Sequence, residues 1–483
     1  MRILFVDIDT LRPDHMSCYG YERCTTPNMD AVAEQGMRFE NYYCSDAPCL
    51  PSRAALVTGM FGIHNGAVGH GGTAADVRLE GASRSFRAST NEGNLHNVFR
   101  KAGLYTASIS TFAERHSSYW FNAGFNETIN VGGGGMESGE EVLPNALSWL
   151  EHNKNREDWF LHLHLWDPHT PYRAPLSFGK PFENSPLPQK WLTEEVFEAH
   201  KKQTGPHGIM EINMYNDDTS PKYPRHLGKA ETMQQLKEVL DGYDTGILYA
   251  DYLIGQVFDL LKAQGIFEET AIIITSDHGE NMGELGIYCE HATADRPTCH
   301  IPMIIKWQGC EKGIDKGLHY NIDLCPTIAE LLKVKPSAHW DGMSYAPVLK
   351  GEKQEGRDHL ILSQMAHVCQ RSVVWGDYLY IRTYHDGFHL FPKEMLFDTK
   401  TDPYEQNNIA EQRRELCDFA AARLLDWSDE MLKTGECTDP LWTVIAEGGP
   451  FHATKNNLAD YLIRLEKTGR SEGAAALRAK YYK

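Results

Sequence analysis

The first half of the chain alternates short apolar runs with stretches of helical period, and this alternation restricts the fold more than any other feature. Ile3–Asp7, Thr106–Ser110, Trp159–Trp166, Ala271–Ser276 and Met303–Lys306 read as strands. Between them lie amphipathic stretches such as Gly246–Gln264, where Ile247, Ala250, Ile254, Val257, Phe258 and Leu261 keep a helical period and Gly265 supplies a stop. Strands alternating with helices predict an α/β fold, a mostly parallel sheet covered on both faces. After Lys350 the pattern changes to the short strands His359–Ser363, Val373–Trp375, Tyr378–Thr383 and Glu394–Phe397, followed by a helical run over Gln412–Leu432. This predicts a main α/β unit over 1–350 and a small C-terminal antiparallel subdomain with a helix over 351–436. The tail, 437–483, has too little core of its own and is expected to dock on the body or on a second subunit in a homo-oligomer. The polar, weakly periodic stretch Lys180–His226 is read either as an excursion that forms part of a substrate rim or as a surface loop.

With 483 residues the chain can bury an extensive core, and its formal net charge of −19 argues against a nucleic-acid surface. The eleven cysteines form no C-x-x-C framework, so neither a disulfide scaffold nor a zinc ribbon is indicated. No apolar run approaches membrane-spanning length, and Arg2–Val6 already reads as a buried strand. With Met1 as the native start, a cytoplasmic protein is expected.

Several polar residues stand where chemistry collects in such a fold. Asp7 and Asp9 lie at the end of the first strand on one face, where two carboxylates repel unless a cation or a hydrogen-bond network holds them. The apolar run Ile272–Ile274 ends in Ser276, Asp277 and His278, and ligands of open α/β sheets gather at the carboxyl ends of strands. In Cys49-Leu50-Pro51-Ser52-Arg53, Pro51 constrains the chain and the following run is helical. Residue 49 is thereby placed near a helix N-terminus that favours an anion, with Arg53 one turn on.

The run Cys49-Leu50-Pro51-Ser52-Arg53, continued to Thr58-Gly59, resembles the signature of formylglycine-dependent sulfatases, members of the alkaline phosphatase superfamily. The opening segment Asp9–Gly20, the Asp277-His278 pair and the stretch Glu394–Asn408 are similar to further segments of the same family, so the resemblance covers roughly residues 1 to 430. It implies an alkaline-phosphatase-like sandwich, with Cys49 oxidised to formylglycine by a maturation enzyme and its hydrate attacking a small anionic sulfate ester. It implies one divalent metal held by Asp9, Asp277, His278 and residue 49, with Asp7 weighed as a further ligand because Thr10 stands where many relatives carry a second aspartate. Carboxylate oxygens favour Ca²⁺, and the imidazole leaves Mn²⁺ or Zn²⁺ open. Arg53 stabilises charge, His169 matches a sulfate-binding histidine, and His291, with His169 as the alternative, is the expected leaving-group acid. The family's G-K-x-H motif is missing, and Thr111, Arg115 or His116 is the expected substitute. A threonine there is also found in phosphonate monoester hydrolases. Two rivals therefore remain beside sulfatase action on a small sulfated carbohydrate: phosphonate or phosphate ester hydrolysis, and a non-catalytic binding protein with unmodified Cys49.

Overall fold

The computed structural model describes residues 1–77, 93–354, 356–433, 437–454 and 457–482. Its main sheet contains β1 (Arg2–Ile8), β2 (Met37–Tyr43), β3 (Tyr105–Ile109), β4 (Glu127–Ile129), β5 (Trp159–Leu165), β6 (Thr270–Thr275), β7 (Met303–Lys306) and β8 (Gly313–Tyr320). The spatial order is β8-β2-β7-β6-β1-β5-β3-β4. β1 pairs in parallel with β5 and β6, which puts the run Leu4-Phe5-Val6 at the centre of the sheet. Only β7 runs against its neighbours, β6 and β2. The α/β, mostly parallel architecture expected from the sequence is the observed one.

Burial on both faces explains why the central strands read as continuous apolar runs. Leu4, Val6, Ile272 and Ile274 pack on one face, together with Leu236, Val239 and Ile254 of the helix Met233–Ala263. Ile3, Phe5, Ala271 and Ile273 pack on the other. That helix is longer than its sequence signal, because Thr232 caps its start by accepting from the Gln235 amide. Three strands escaped the sequence pattern. β4 and β8 are edge strands, β8 with an exposed stretch, and β2 mixes Arg38, Glu40 and Asn41 among its apolar residues.

The second sheet holds the antiparallel strands Leu360–Gln364, Cys369–Trp375, Tyr378–His385 and Glu394–Asp398, backed by the helix Arg414–Leu432. It is not built from the C-terminal part alone. The short strand Asp46–Ala47 joins it in parallel through Leu360–Gln364, and this tie anchors the chain just before Cys49. A two-residue strand carries no periodic signal, so the sequence could not announce it.

The tail packs against the same chain. Glu211, fully buried, receives Arg464 at 3.0 Å and also Arg470. Arg371 of the second sheet makes a paired contact with Asp439 at 2.7 Å through both nitrogens. The expected boundary at 436/437 falls beside residues 434–436, outside the described ones. Among the described residues no helix is long and apolar enough to cross a membrane.

Candidate active site

Parallel strands deliver their last residues to one rim, and the polar side chains of β1, β5 and β6 meet there. In the register of the sheet Asp7 stands beside His164 on one side and Thr275 on the other. Asp9 follows β1, and Asp277 and His278 follow β6. The helix Cys49–Thr58 points its first residue at this rim and is buried along its whole length. That burial explains why it lacks an amphipathic pattern. Ser52 holds it in place, donating to the Asp277 carbonyl at 2.6 Å, and Gly59 ends it in the left-handed region at φ 68°. A side chain at Gly59 would collide with Trp340.

Arg53 is fully buried on this helix, which is tolerable only with charged partners. Its Nε lies 3.0 Å from Asp7 Oδ2, its Nη2 3.1 Å from Asp9 Oδ2 and 2.8 Å from His164 Nε2, and its Nη1 donates to Asp277. Three carboxylates thus surround one guanidinium, a local charge of about −2 with all three ionised. Burial opposes ionisation of Asp9, but Arg53 and the neighbouring imidazoles outweigh it and hold that carboxyl well below the usual range. Asp277 takes the opposite course: burial and the charges of Asp9 and Asp7 push it up despite Arg53. One arginine does not satisfy three carboxylates.

The remaining demand is for a cation, and the donor atoms fit one. His278 Nδ1 lies 2.8 Å from the Gly279 carbonyl, so it carries the hydrogen and leaves the Nε2 lone pair free. That Nε2 faces Asp277 Oδ2 at 3.3 Å, Asp9 Oδ1 at 3.8 Å and Cys49 Sγ at 3.0 Å. Burial and the nearby His291 pull the His278 imidazole down to about 3, so it is neutral. Asp9 Oδ1 is buried with no hydrogen-bond partner. An unpartnered carboxylate oxygen and a neutral imidazole nitrogen that converge on one sulfur are donors a metal ion can take in place of the thiol hydrogen. Asp9, Cys49, Asp277 and His278 each offer a ligand atom within 4.8 Å of the others. Asp7 stands outside this group, bonded to Arg53 and 3.4 Å from His162. Thr10, whose hydroxyl is buried without a partner, presents its amide to Asp277 Oδ1 at 3.4 Å.

Cys49 is walled in by imidazoles. His169 Nε2 is 3.9 Å from its sulfur, and the His291 ring lies 4.1 Å from that of His278. His291 is gripped on both nitrogens, by Glu290 at 2.8 Å and by Glu280 at 3.3 Å. Burial disfavours its charge, but Glu290, together with hydrogen bonds to Cys49 and Glu280, holds it well above the ordinary histidine range, as an imidazolium. Burial and the Asp9 carboxylate push the Cys49 thiol up to about 12. An unmodified thiol there is a poor nucleophile at neutral pH.

The three substitutes expected for the missing G-K-x-H motif occupy different positions. Thr111 is committed within the protein, donating to Glu137 and accepting from Trp166 Nε1 at 3.0 Å. Arg115 lies over the Trp166 ring at 5.1 Å, and His116 sits 4.9 Å from His70 with its Nε2 unpartnered. His162 and His164 were not singled out in the sequence because they lie inside an apolar strand. Their period-two spacing in Phe160-Leu161-His162-Leu163-His164-Leu165 was the available signal.

Residues 2–334, more than half of the chain, match the sulfatase family model. The chain belongs to the sulfatase family. A second model, the C-terminal region of N-sulphoglucosamine sulphohydrolase, matches residues 283–423 of this sulfatase. Over 82% of its length it is 25% identical to a choline-sulfatase of Rhizobium meliloti, 79% of which is covered. An N-acetylglucosamine-6-O-sulfatase of Bacteroides thetaiotaomicron is 23% identical, with 92% of this chain and 89% of that one aligned. Among solved structures, a protein bound to its substrate D-glucosamine-2-N,6-O-disulfate superposes with a TM-score of 0.71 at 19% identity, covering 90% of this chain and 98% of the other. The phosphonate monoester hydrolase of Silicibacter pomeroyi superposes at 0.65 and 20%, covering 92% and 97%. These superpositions show a shared fold. This sulfatase is an enzyme, and hydrolysis of sulfate esters is the reaction class its family membership assigns.

Proposed function

We propose that this sulfatase hydrolyses the ester of a small sulfated carbohydrate, with Cys49 matured to formylglycine and one divalent cation, Ca²⁺, held by Asp9, Asp277, His278 and residue 49. The observation that carries this reading is the convergence beside Cys49 of Asp9 Oδ1, buried without a hydrogen-bond partner, and His278 Nε2, 3.8 Å from it and 3.0 Å from the Cys49 sulfur, under an arginine bonded to all three carboxylates Asp7, Asp9 and Asp277. When present, the cation supplies charge stabilisation to the ester oxygens, and the aldehyde hydrate supplies a nucleophilic hydroxyl at position 49. Arg53 fixes the orientation of Asp7, Asp9 and Asp277 and adds positive charge where charge develops on the transferring group. His169 Nδ1 is bonded to the Thr170 carbonyl at 2.5 Å, so its Nε2 faces the site as an acceptor. His291 holds a proton against Glu290 and is the acid that delivers it to the leaving oxygen. The carbohydrate reading draws on relatives named for glucosamine sulfates.

A turnover panel of sulfated sugars, aryl sulfates and phosphonate monoesters tests the proposal with protein matured by a formylglycine-generating enzyme. Sulfated sugars are expected to give the highest kcat/KM, and a preference for phosphonate esters would overturn it. His291→Ala is expected to slow a sugar sulfate by about 10²–10⁴-fold while nearly sparing an aryl sulfate, whose phenol leaves without much protonation. Equal slowing of both substrates would make His291 a binding residue.

A further inference from the structure

Next to His291, three remote segments bring His207, Glu290 and His367 together. Each offers a ligand atom within 4.8 Å of the others, and all three are buried. His207 comes from the polar excursion over 180–226, Glu290 from the strand Tyr288–Glu290, and His367 from the turn between Leu360–Gln364 and Cys369–Trp375. The construction repeats that of the first centre. His207 Nδ1 lies 2.9 Å from the Ile212 carbonyl, which can only accept, so Nδ1 carries the hydrogen. Its Nε2 lone pair then faces Glu290 Oε2 at 3.3 Å with no hydrogen-bond partner. His367 Nε2 is 3.6 Å from Glu290 Oε1, and both of its ring nitrogens are buried and unpartnered.

These atoms are held from behind. The Gln364 amide donates to the His291 carbonyl at 2.8 Å and accepts from the His367 amide at 3.1 Å, locking the turn to the strand. The Tyr288 amide donates to the His207 carbonyl at 2.9 Å, locking the excursion to the same strand. Burial disfavours a proton on either ring and pulls both imidazoles below their usual range, while Glu290, which burial would push up, is held well below its own range chiefly by the charged His291. The unpartnered ring nitrogens of His207 and His367 face a carboxylate that is bonded to His291, and a cation between the three would satisfy them.

We infer that His207, Glu290 and His367 form a second metal site, separate from the Asp9–Asp277 centre, that takes a divalent d-block cation, Zn²⁺ by preference. Two nitrogens and one carboxylate oxygen suit zinc rather than calcium, which seeks six to eight oxygens. Three protein donors leave a tetrahedral ion one position for an outside ligand. Glu290 also grips His291, so the ion stands one residue removed from the group beside Cys49.

The test uses the full chain carrying Cys49→Ala and His278→Ala, so that both donor groups beside Arg53 (Cys49, His278 and His291; Asp9, Cys49, Asp277 and His278) lose two ligands, stripped with a chelator and dialysed against Zn²⁺. One equivalent of zinc per chain is expected, falling to none when His367→Ala or His207→Ala is added, and Co²⁺ in its place should give the intense visible bands of a tetrahedral site. No zinc uptake, or uptake unchanged by either alanine, would overturn the inference. Should the alanine variants fold poorly, anomalous diffraction at the zinc edge from wild-type crystals decides alone. A peak between His207, Glu290 and His367 is expected, and its absence at saturating zinc refutes the site.

Discussion

Cys49→Ala protein is expected to fold as wild type does and to lose turnover by about 10⁴–10⁶-fold, the scale on which removal of a nucleophile acts. The sulfur lies in a small cluster with Leu50, Ala54, Val57 and Trp166, away from the two large cores that cover the main sheet. Its loss opens space for little more than one atom, a cost of about 1–2 kcal/mol against the whole fold. The helix keeps its anchors, because Ser52 still donates to the Asp277 carbonyl and Asn321 still donates to the Ser52 carbonyl at 3.1 Å. Thermal unfolding measured beside initial rates separates the two effects. A near-native melting curve with residual activity near zero is the expected pair of results, whereas retention of a substantial fraction of the rate would remove residue 49 from the chemistry.

The second large effect is expected at Asp277. Its carboxylate is one of three around Arg53, and its Oδ2 is also 3.3 Å from His278 Nε2. Asp277→Ala removes one negative charge of three and one donor of the set Asp9, Cys49, Asp277 and His278. The guanidinium then faces Asp7 and Asp9 alone, a local charge of about −1, which holds a divalent cation far less firmly. Loss of a partner behind a ligand already costs about 10–100-fold in metal affinity, so loss of a ligand should exceed about 100-fold. Elemental analysis after dialysis against calcium is expected to find the ion in wild type and not in Asp277→Ala. Asp9→Ala should behave the same way. Asp7→Ala should lose less, because Asp7 reaches Arg53 and His162 rather than the donor group. Full calcium occupancy in a folded Asp277→Ala protein would strike it from the ligand set.

The pattern of what the sequence made legible follows from how each part is held together. β1 and β6 are buried on both faces, so their apolar runs announced them, and the polar residues at their ends marked the rim. The helix Cys49–Thr58 is buried on every side and has no apolar stripe; its ordered motif, not its periodicity, made it visible. β8 and β4 lie at the sheet edges, where half-exposed residues blur the alternation. His164 bonds Arg53 yet was hidden, because a histidine inside an apolar strand reads as packing until the partner from another element is known. His207 and His367 were out of reach altogether. They are 160 positions apart in the chain, and only the docking of the excursion and the second sheet on the strand Tyr288–Glu290 sets them around Glu290.

We propose that an aldehyde made from Cys49, not the thiol itself, carries sulfate-ester hydrolysis. It is tested most directly by measuring turnover of one sulfate ester across preparations with graded maturation, the converted fraction of residue 49 being read from the mass of its peptide. The expected rate is proportional to the converted fraction and passes through zero at no conversion. A preparation with the thiol intact at every copy of residue 49 and full activity would contradict it.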